Sequence, residues 1–393
     1  MQLPQLDYLR WIRQPATHEG VRCSLVLSGM PTPDASFLED IPPARWLDAV
    51  GVDHPPLAQR MATEWGLSPR QVLLQPGSHW NILLAVASHL RRRWGPVIVE
   101  EPAYEPMRRI PAALGAPLLR LPRRVSDGRR LDLAALESLG EDSPSLLVFS
   151  HPHNPSMATL SEEEMEAVVT WSRATGCAVL SDEVYLEFLD DPEASTMRRV
   201  LPEAAVIRSF TKVMGLGSIR ASVLIGPEEW IASAAALSDY GPGFLPAPSL
   251  AAAEAAWDRR EELWRRARRL GADRRPQVRR WAEEMRDILE VELNDAGIIA
   301  FCRLHPEAAR AAAAFARRRG IQGDFGFSLD GDPDSSIWWI EDLRRRDGVL
   351  VTPGAFFEEP QGFRLGFGVE ETTLEDGLAL LSRYLREATA PPA

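Results

Sequence analysis

Lysine is almost absent from the sequence. Among 44 lysine and arginine residues, Lys212 is the only lysine. As surface charges the two side chains are nearly equivalent, and this chain uses arginine for that purpose. They differ chemically, because a guanidinium stays protonated, whereas a desolvated amine can lose its proton and attack a carbonyl group. Lys212 is therefore a candidate for a residue retained for its amine; the alternative is an ordinary surface lysine in a loop.

Cysteine is also scarce. Cys23, Cys177 and Cys302 are odd in number, lie far apart, and lack the spacing of a metal site or a disulfide framework. Cys177 falls in an apolar strand pattern and is expected to be a small core residue. This cysteine usage favours a reducing compartment, so we expect a cytoplasmic protein.

Long apolar runs are missing too. No run reaches the length of about 18 residues that a membrane span needs. The N-terminal stretch lacks the uninterrupted apolar core of a signal peptide. The net charge of −12 disfavours nucleic acids and anionic membranes as partners. We therefore expect a protein that binds neither nucleic acid nor membrane.

The order of apolar patterns predicts two domains, as a length of 393 residues permits. From about residue 45, short apolar strands alternate with amphipathic helices, which is typical of an α/β domain. A long Ala- and Arg-rich helical tract at 250–271 is predicted to break at Pro276, where we place the boundary. The sequence thus predicts a large α/β domain at 45–275 and a smaller α+β domain formed by 1–44 and 276–393.

Individual elements follow from the same patterns. Ser161 and Glu164 form a capping-box pattern, which predicts the start of a helix that ends at Gly176. An amphipathic helix is predicted near the N-terminus. Other helices are predicted at 79–94, 306–319, 336–347 and 373–387. Strands are predicted at 72–74, 96–99, 146–149, 177–180, 206–210, 221–225, 288–293, 298–304, 349–352 and 363–367.

Polar residues follow several predicted strands, where open α/β sheets bind their ligands. Ser209, Thr211 and Arg220 bring two hydroxyls and a fixed cation near Lys212, a set suited to a phosphate. The turn at 77–79 leads from a strand into a helix, so it presents free backbone N–H groups to an anion; the alternative is a plain connection. Asp182 ends a buried strand and needs a cation or a donor; the alternative is a helix N-cap.

The pattern S-x-T-K-x-M-G-L-x-x-x-R at 209–220 resembles the lysine signature of the class I/II aminotransferases, fold-type I enzymes that use pyridoxal 5′-phosphate (PLP). Three further motifs resemble the family in the same order: H-P-H-N-P at 151–155, D-x-x-Y at 182–185 and F-R at 363–364. The resemblance covers about 25–390. It implies a large domain with a mostly parallel, seven-stranded-type sheet flanked by helices.

The resemblance implies a role for each matching residue. Lys212 forms a Schiff base with the cofactor and later moves a proton. The cofactor phosphate is held by backbone groups of Gly77, Ser78 and His79 and by Ser209, Thr211 and Arg220. The cofactor ring stacks on Tyr104, its protonated nitrogen pairs with Asp182, and its phenolic oxygen accepts hydrogen bonds from Asn154 and Tyr185.

The substrates follow from the same resemblance. Arg364 binds the α-carboxylate through two parallel hydrogen bonds, with a strand-edge cation as the alternative. The backbone of Gly29 approaches the same carboxylate. The loop at 240–249 matches a dimer interface, so we expect a homodimer. The expected reaction transfers an amino group between an L-amino acid and a 2-oxo acid.

Several departures from the family pattern keep other reactions open. His151 replaces an asparagine, Ser156 and Met157 replace Thr-Gly, and 45–60 lacks the tyrosine that reaches the partner's phosphate. The Gly- and Asp-rich stretch at 321–335 fits poorly and is a candidate specificity insertion. The alternatives are a β-lyase, a decarboxylase or an oxidative enzyme on the same scaffold. A PLP-sensing regulator would carry a DNA-binding domain before the family-like part, and because the resemblance begins at about residue 25, we do not expect a regulator. No metal site is expected either, because His151 and His153 lack further ligands.

Overall fold

The computed structural model describes residues 5–47, 55–321 and 332–390. Contacts divide the chain into two compact units. The larger unit comprises Gly29–Asn154 and Ala158–Arg268, and the smaller comprises Met1–Ser28, Pro155–Met157 and Arg269–Ala393. The domain boundaries predicted from the sequence, at residues 45 and 275, differ from the limits of these units and stay a prediction. The candidate insertion at 321–335 and the tyrosine-free stretch at 45–60 lie partly outside the described residues.

The predicted strands form at or close to their predicted positions, and the strands at 23–24 and 118–122 were not predicted. Leu146–Ser150 and Ala221–Ile225 are buried at every residue, as expected for strands covered on both faces. In chain order the strands are β1 (Cys23–Ser24), β2 (Val72–Pro76), β3 (Val97–Glu101), β4 (Leu118–Pro122), β5 (Leu146–Ser150), β6 (Ala178–Asp182), β7 (Ala205–Ser209), β8 (Ala221–Ile225), β9 (Leu289–Glu292), β10 (Ile299–Leu304), β11 (Val349–Leu350), β12 (Thr352–Pro353) and β13 (Gly362–Gly366).

The helices that were predicted begin and end largely where local signals indicate, and several others, such as those at 56–64, 105–113 and 228–238, were not predicted. Ser161 and Glu164 form the predicted capping box, and Gly176 ends that helix with a φ of 67°. In chain order the helices are α1 (Asp7–Arg13), α2 (Pro15–His18), α3 (Pro56–Glu64), α4 (Ser78–Arg92), α5 (Glu105–Ala113), α6 (Leu133–Leu139), α7 (Glu162–Thr175), α8 (Pro192–Ser195), α9 (Met197–Val200), α10 (Glu228–Ser238), α11 (Ala247–Asp258), α12 (Arg260–Glu284), α13 (Pro306–Arg318), α14 (Ser336–Asp347) and α15 (Glu371–Thr389).

The predicted break at Pro276 is wrong, because α12 continues through this residue. A proline removes one backbone N–H, so the carbonyl of Ala272 loses its helical donor. Pro276 and Ala272 are both exposed, so water can donate to that carbonyl instead. The helical tract is interrupted at Arg259, whose φ of −107° and ψ of 16° are not helical.

The larger unit is built on a seven-stranded sheet in the order β2-β8-β7-β6-β5-β3-β4. β8 runs antiparallel to β2 and β7, and the other neighbouring pairs are parallel. The prediction of a mostly parallel seven-stranded sheet with helices is confirmed. Because β3, β5, β6 and β7 are parallel, Glu101, Ser150, Asp182 and Ser209 end their strands at the same edge of the sheet.

The smaller unit contains a four-stranded antiparallel sheet in the order β12-β13-β10-β9 and a parallel pair formed by β1 and β11. Helices of the same unit, including α13, α14 and α15, complete an α+β architecture. Arg364 lies in the middle of β13, opposite Phe301 and Thr352. Within the described ranges, each helix is too short or too polar to cross a membrane.

Candidate active site

Lys212 lies in the loop that follows β7, and the segment at 29–31 packs against the backbone of that loop. The N–H of Met30 donates to the carbonyl of Lys212 at 2.7 Å. A Cβ added to Gly29 would lie 3.1 Å from Cα of Lys212, and one added to Gly215 would lie 2.4 Å from the carbonyl oxygen of Pro31. Glycine at both positions therefore allows the backbone approach that fixes the lysine-bearing loop. The role of Gly29 toward a substrate carboxylate stays a prediction.

Asp182 and Tyr185 lie near Lys212. The Nζ atom of Lys212 is 5.8 Å from the ring centroid of the buried Tyr185. Asp182 is buried, and within the described part of the chain its Oδ1 atom has no hydrogen-bond partner. Burial raises the pKa of Asp182 to about 7, opposed by the backbone N–H of Val184 and by the charge of Lys212. A buried carboxylate of this kind fits a protonated ring nitrogen as its partner.

Asn154 lies in the buried turn that follows β5. Its backbone N–H donates to Oγ of Ser150 at 3.0 Å. The two nearby histidines hold backbone groups: Nε2 of His153 lies 2.9 Å from the carbonyl oxygen of Pro102. Nδ1 of His151 accepts from the N–H of Leu160 at 3.2 Å, so its Nε2 carries the proton and donates to a carbonyl oxygen. These bonds give the histidines a structural reason to occupy the turn.

Both histidines are buried in surroundings that disfavour their charged form. Burial lowers the pKa of His151 to about 4 and the pKa of His153 well below its usual value. Groups of three His, Cys, Asp or Glu side chains that could hold a metal ion do not occur among the residues that the structure describes. The absence of a metal site stays a prediction.

Gly77 and Arg220 meet at the start of α4. Gly77 precedes the helix with a φ of 86°, and the helix has no side-chain cap; Ser78 and His79 are its first two residues. A Cβ on Gly77 would lie only 2.1 Å from Nη2 of Arg220. The guanidinium of Arg220 therefore lies beside the N-terminus of α4. Two neighbouring positive groups of this kind suit a bound phosphate.

Two hydroxyls close to Lys212, one at the end of β7 and one in the following loop, complete the predicted phosphate contacts. Oγ of the buried Ser209 accepts the N–H of Thr211 at 3.0 Å. Oγ1 of Thr211 is buried and has no hydrogen-bond partner among the described residues. A buried hydroxyl without a partner is costly, so Thr211 fits a site that supplies an acceptor when a ligand binds.

Tyr104 is half-buried and occupies the N-cap position of α5, three residues after the end of β3. Its predicted stacking on a cofactor ring stays a prediction. Sequence reasoning missed Glu100, one position before the end of the same strand, and its partner Arg123. Both are buried, and Nε of Arg123 lies 2.7 Å from Oε2 of Glu100. The available signal was a carboxylate in an otherwise apolar strand, which predicts a buried partner.

Arg364 lies in the smaller unit and is 1% exposed. Its Nη2 donates to the hydroxyl of Tyr8 at 3.1 Å and to the carbonyl of Val26 at 3.3 Å. The guanidinium carbon lies 5.0 Å from the ring centroid of Phe357. Because β13 is an interior strand, the alternative of a strand-edge cation is wrong. Arg364 is a buried and firmly oriented cation.

Three observations in the larger unit fit PLP. Among the described residues, Oδ1 of Asp182 and Oγ1 of Thr211 have no hydrogen-bond partner, which suits a ring nitrogen and a phosphate, respectively. The space shared by Gly77 and Arg220 suits the same phosphate. The amine of Lys212 lies near Tyr185, and its charge acts on Asp182. An amine that binds the cofactor aldehyde has to lie beside the residues that hold the cofactor ring, and Lys212 has this position.

Comparison with solved structures shows the same fold. A PLP-dependent aminotransferase from Streptococcus suis matches over 100% of both chains, with a TM-score of 0.80 and 20% identity. An identity this low shows the fold alone. The match confirms the predicted fold-type I architecture.

Comparisons with curated relatives and with a family model point to the same class of enzymes. A probable aminotransferase of Mycobacterium tuberculosis is 29% identical over 62% of this chain and 52% of the relative, so the chain spans about half the length of that protein. Capreomycidine synthase of Streptomyces vinaceus is 25% identical over 74% of this chain and 68% of the synthase. The model "Aminotransferase class I and II" matches residues 50–381. The chain therefore belongs to the class I and II aminotransferase family, whose members are PLP-dependent transferases.

Proposed function

We propose that the protein is an aminotransferase that moves an amino group between an L-amino acid and a 2-oxo acid. The observation that carries this proposal is the position of the only lysine. The Nζ atom of Lys212 lies 5.8 Å from the ring centroid of Tyr185, and its charge partly opposes the burial that raises the pKa of Asp182. The amine, the carboxylate and the phenol thus occur together at the carboxyl edge of the sheet.

PLP, when bound, supplies an aldehyde for the amine and a ring that withdraws electrons from the carbon that reacts. Asp182 would keep the ring nitrogen protonated, because a buried carboxylate is stabilised by a cation. Asn154 and Tyr185 would donate hydrogen bonds to the phenolic oxygen. Gly77 to His79, Ser209, Thr211 and Arg220 would hold the phosphate. Lys212 would move the proton that leaves the substrate carbon.

Arg364 would bind the α-carboxylate of both substrates. A guanidinium offers two parallel N–H donors that match the two oxygens of a carboxylate, which an ammonium does not. The hydroxyl of Tyr8 and the ring of Phe357 restrict the guanidinium to one orientation, which supports a role in recognition. Burial of Arg364 also removes competing water, so a bound carboxylate would be held strongly.

The proposal is tested by incubating the PLP-loaded protein with pooled L-amino acids while its absorbance and products are followed. Transamination predicts loss of the visible absorbance, formation of a 2-oxo acid, and reversal of the spectral change when a different 2-oxo acid is added. Release of carbon dioxide, of ammonia with a cleaved side-chain fragment, or of an oxygen-dependent product would reject amino transfer.

The second candidate is another PLP-dependent reaction on the same scaffold: a β-lyase, a decarboxylase, an oxidative enzyme or a cyclase. The cyclase is favoured by the similarity to capreomycidine synthase, which extends over 74% of this chain, against 62% for the Mycobacterium relative. The residues around Lys212 would bind the cofactor in the same way in all these reactions, so they do not distinguish between them. In the same amino-acid incubation, a cyclase would yield a product that keeps the substrate's α-amino group and forms no 2-oxo acid.

The proposal includes a homodimer in a reducing, cytoplasmic setting. Tyr240 is 88% exposed and Phe244 is 47% exposed, and both lie in the loop that leads into α11. Exposed aromatic side chains close together are typical of protein interfaces. Cys23, Cys177 and Cys302 are buried thiols that form no disulfide, which supports the reducing setting.

A further inference from the structure

Glu100 joins two strands of the larger unit through a hydroxyl that also contacts the turn carrying Asn154. Oε1 of Glu100 accepts the backbone N–H of Ser150 at 2.7 Å and the hydroxyl of Ser150 at 2.6 Å. The same hydroxyl oxygen accepts the backbone N–H of Asn154 at 3.0 Å. A continuous path of hydrogen bonds therefore runs from the carboxylate of Glu100 to the backbone of Asn154.

The carboxylate of Glu100 is itself held from the other side. Nε of Arg123 lies 2.7 Å from Oε2 of Glu100, and Nη1 of Arg123 donates to the carbonyl of Arg129 at 2.9 Å. Burial raises the pKa of Glu100, and the guanidinium and the two donors of Ser150 oppose that rise. The contacts fit the ionised form, because one oxygen accepts two hydrogen bonds and the other faces a cation.

Burying an ion pair is expensive for a protein, since each charge leaves water, and stability alone gives little reason to keep one. Glu100 and Arg123 are both almost fully buried, so they carry this cost in full. Glu100 of this pair accepts hydrogen bonds from Ser150, the last residue of β5. Ser150 lies opposite Asp182 in the sheet. The charges are thus placed close to Asn154 and Asp182, two of the residues expected to contact the cofactor ring.

We propose that Glu100 and Ser150 are positioning residues that fix Asn154 where its amide donates to the phenolic oxygen of the cofactor. The inference rests on the proposed function, because it assigns that role to Asn154. Glu100 fixes the rotamer of Ser150, since the hydroxyl proton points to Oε1 and leaves a lone pair for the N–H of Asn154. The carboxylate thereby sets the geometry of a residue that it does not touch.

A spectroscopic midpoint reports this positioning. A donor to the phenolic oxygen draws negative charge away from the proton on the nitrogen of Lys212, so loss of the donor makes that proton harder to remove. The pH midpoint of the visible absorbance of the PLP-loaded protein should therefore rise when Asn154 is misplaced. Ser150→Ala is the cleanest variant, because it breaks the path and changes no charge.

We expect Asn154→Ala to raise the midpoint most and Ser150→Ala to raise it by about half a unit, or about 0.7 kcal/mol at about 1.36 kcal/mol per unit. Ser150→Cys keeps a weak acceptor of similar size and should fall between Ser150→Ala and the wild type. Ser172→Ala is the matched control: its hydroxyl is also buried but donates to the carbonyl of Cys177, so its midpoint should equal that of the wild type.

The affinity of the apoprotein for PLP, measured by equilibrium dialysis, provides a second readout and should weaken in the same order. A Ser150→Ala midpoint equal to the wild-type value, beside a shifted Asn154→Ala, overturns the positioning role. So does an unchanged Asn154→Ala. A wild-type protein that shows no visible band of bound cofactor at all overturns the proposed function instead, so the two failures are distinguishable. If Ser150→Ala does not fold, the Ser150→Cys comparison decides in the same way.

Discussion

The guanidinium of Arg220 occupies the space in which a side chain on residue 77 would begin. A Cβ on Gly77 would lie 2.1 Å from Nη2 and 2.9 Å from Cζ of Arg220. Glycine at position 77 therefore does two things at once: it permits a φ of 86°, and it lets a cation reach the first turn of α4. The helix N-terminus and the guanidinium are both positive, which favours an anion between them.

Gly77→Ala should therefore displace Arg220 and weaken PLP binding by about tenfold or more, since a hydrogen bond to a charged group contributes about 1.5–3 kcal/mol and about 1.4 kcal/mol is tenfold. Gly66→Ala is the matched control. Gly66 also has a positive φ, 65°, but an added Cβ would meet nothing within 4 Å. Gly77→Ala should lose more stability than Gly66→Ala, because a φ of 86° with a ψ of 145° is open essentially only to glycine, and only Gly77→Ala should lose affinity in equilibrium dialysis. Equal affinity in the two variants would contradict the phosphate site.

Asp182 gives a pH-dependent prediction for the apoprotein. Burial raises its pKa from 3.8 to about 7, so the folded state binds the proton more tightly than the unfolded state. Stability is then lost as the pH rises from about 4 to about 7. Asp182→Asn removes this loss, so the variant apoprotein should become more stable than the wild type above pH 7, by up to about 4 kcal/mol at about 1.36 kcal/mol per unit.

The measurement is urea unfolding of both apoproteins between about pH 5 and about pH 8, compared as a difference so that other titrating groups cancel. The same variant should bind PLP more weakly, because a neutral amide does not pair with a protonated ring nitrogen. A stability difference that does not grow with pH would show that Asp182 is ionised without penalty in the folded apoprotein.

Arg364→Lys should lower kcat/KM for amino acids while the visible absorbance of the cofactor stays intact. Loss of a buried, hydrogen-bonded charge pair costs about 2–5 kcal/mol, which is about 30-fold to several thousandfold. Tyr8→Phe keeps the ring but removes the hydroxyl that accepts from Nη2, so its effect should be smaller and in the same direction. Steady-state kinetics with one amino acid test both; an unchanged kcat/KM in Arg364→Lys would remove Arg364 from substrate recognition.

Local signals in the sequence predicted local structure well. Ser161 and Glu164 predicted a helix start because a capping box is complete within four residues. Lys212 and Asp182 were placed at strand ends by similar local reasoning, Asn154 came from the family resemblance, and the sheet brings these strand ends to one edge. The predicted helix break at Pro276 was wrong, because its outcome depends on whether the freed carbonyl is exposed to solvent. Pro276 lies within a helix, since water can donate to that carbonyl.

Contacts between distant segments could not be predicted from the sequence. The ion pair of Glu100 and Arg123 joins two β-strand regions, and only the sheet order brings them together. The approach of Arg220 to Gly77 likewise depends on β8 lying beside β2. No periodicity or spacing carries such information, because it follows from how strands are ordered in the sheet.

The protein should be a homodimer at micromolar concentration by light scattering. Tyr240→Asp introduces a charge at an 88% exposed aromatic residue in the loop before α11 and should shift the protein toward monomer. Trp94→Asp is the control, since Trp94 is 61% exposed but lies between α4 and β3. A fully active wild-type monomer would contradict the expected assembly.

Covalent binding of the cofactor by Lys212 can be tested by chemical reduction. The PLP-loaded protein is reduced with borohydride, which makes an imine link permanent, and the modified peptide is then identified by mass spectrometry. Because Lys212 is the only lysine, the chain offers just this side-chain amine and the N-terminal amine. We expect one adduct, on the peptide containing Lys212, and none at that position in Lys212→Ala or Lys212→Arg, since a guanidinium forms no such link. An adduct confined to the N-terminus, or visible absorbance that survives dialysis in Lys212→Ala, would contradict it.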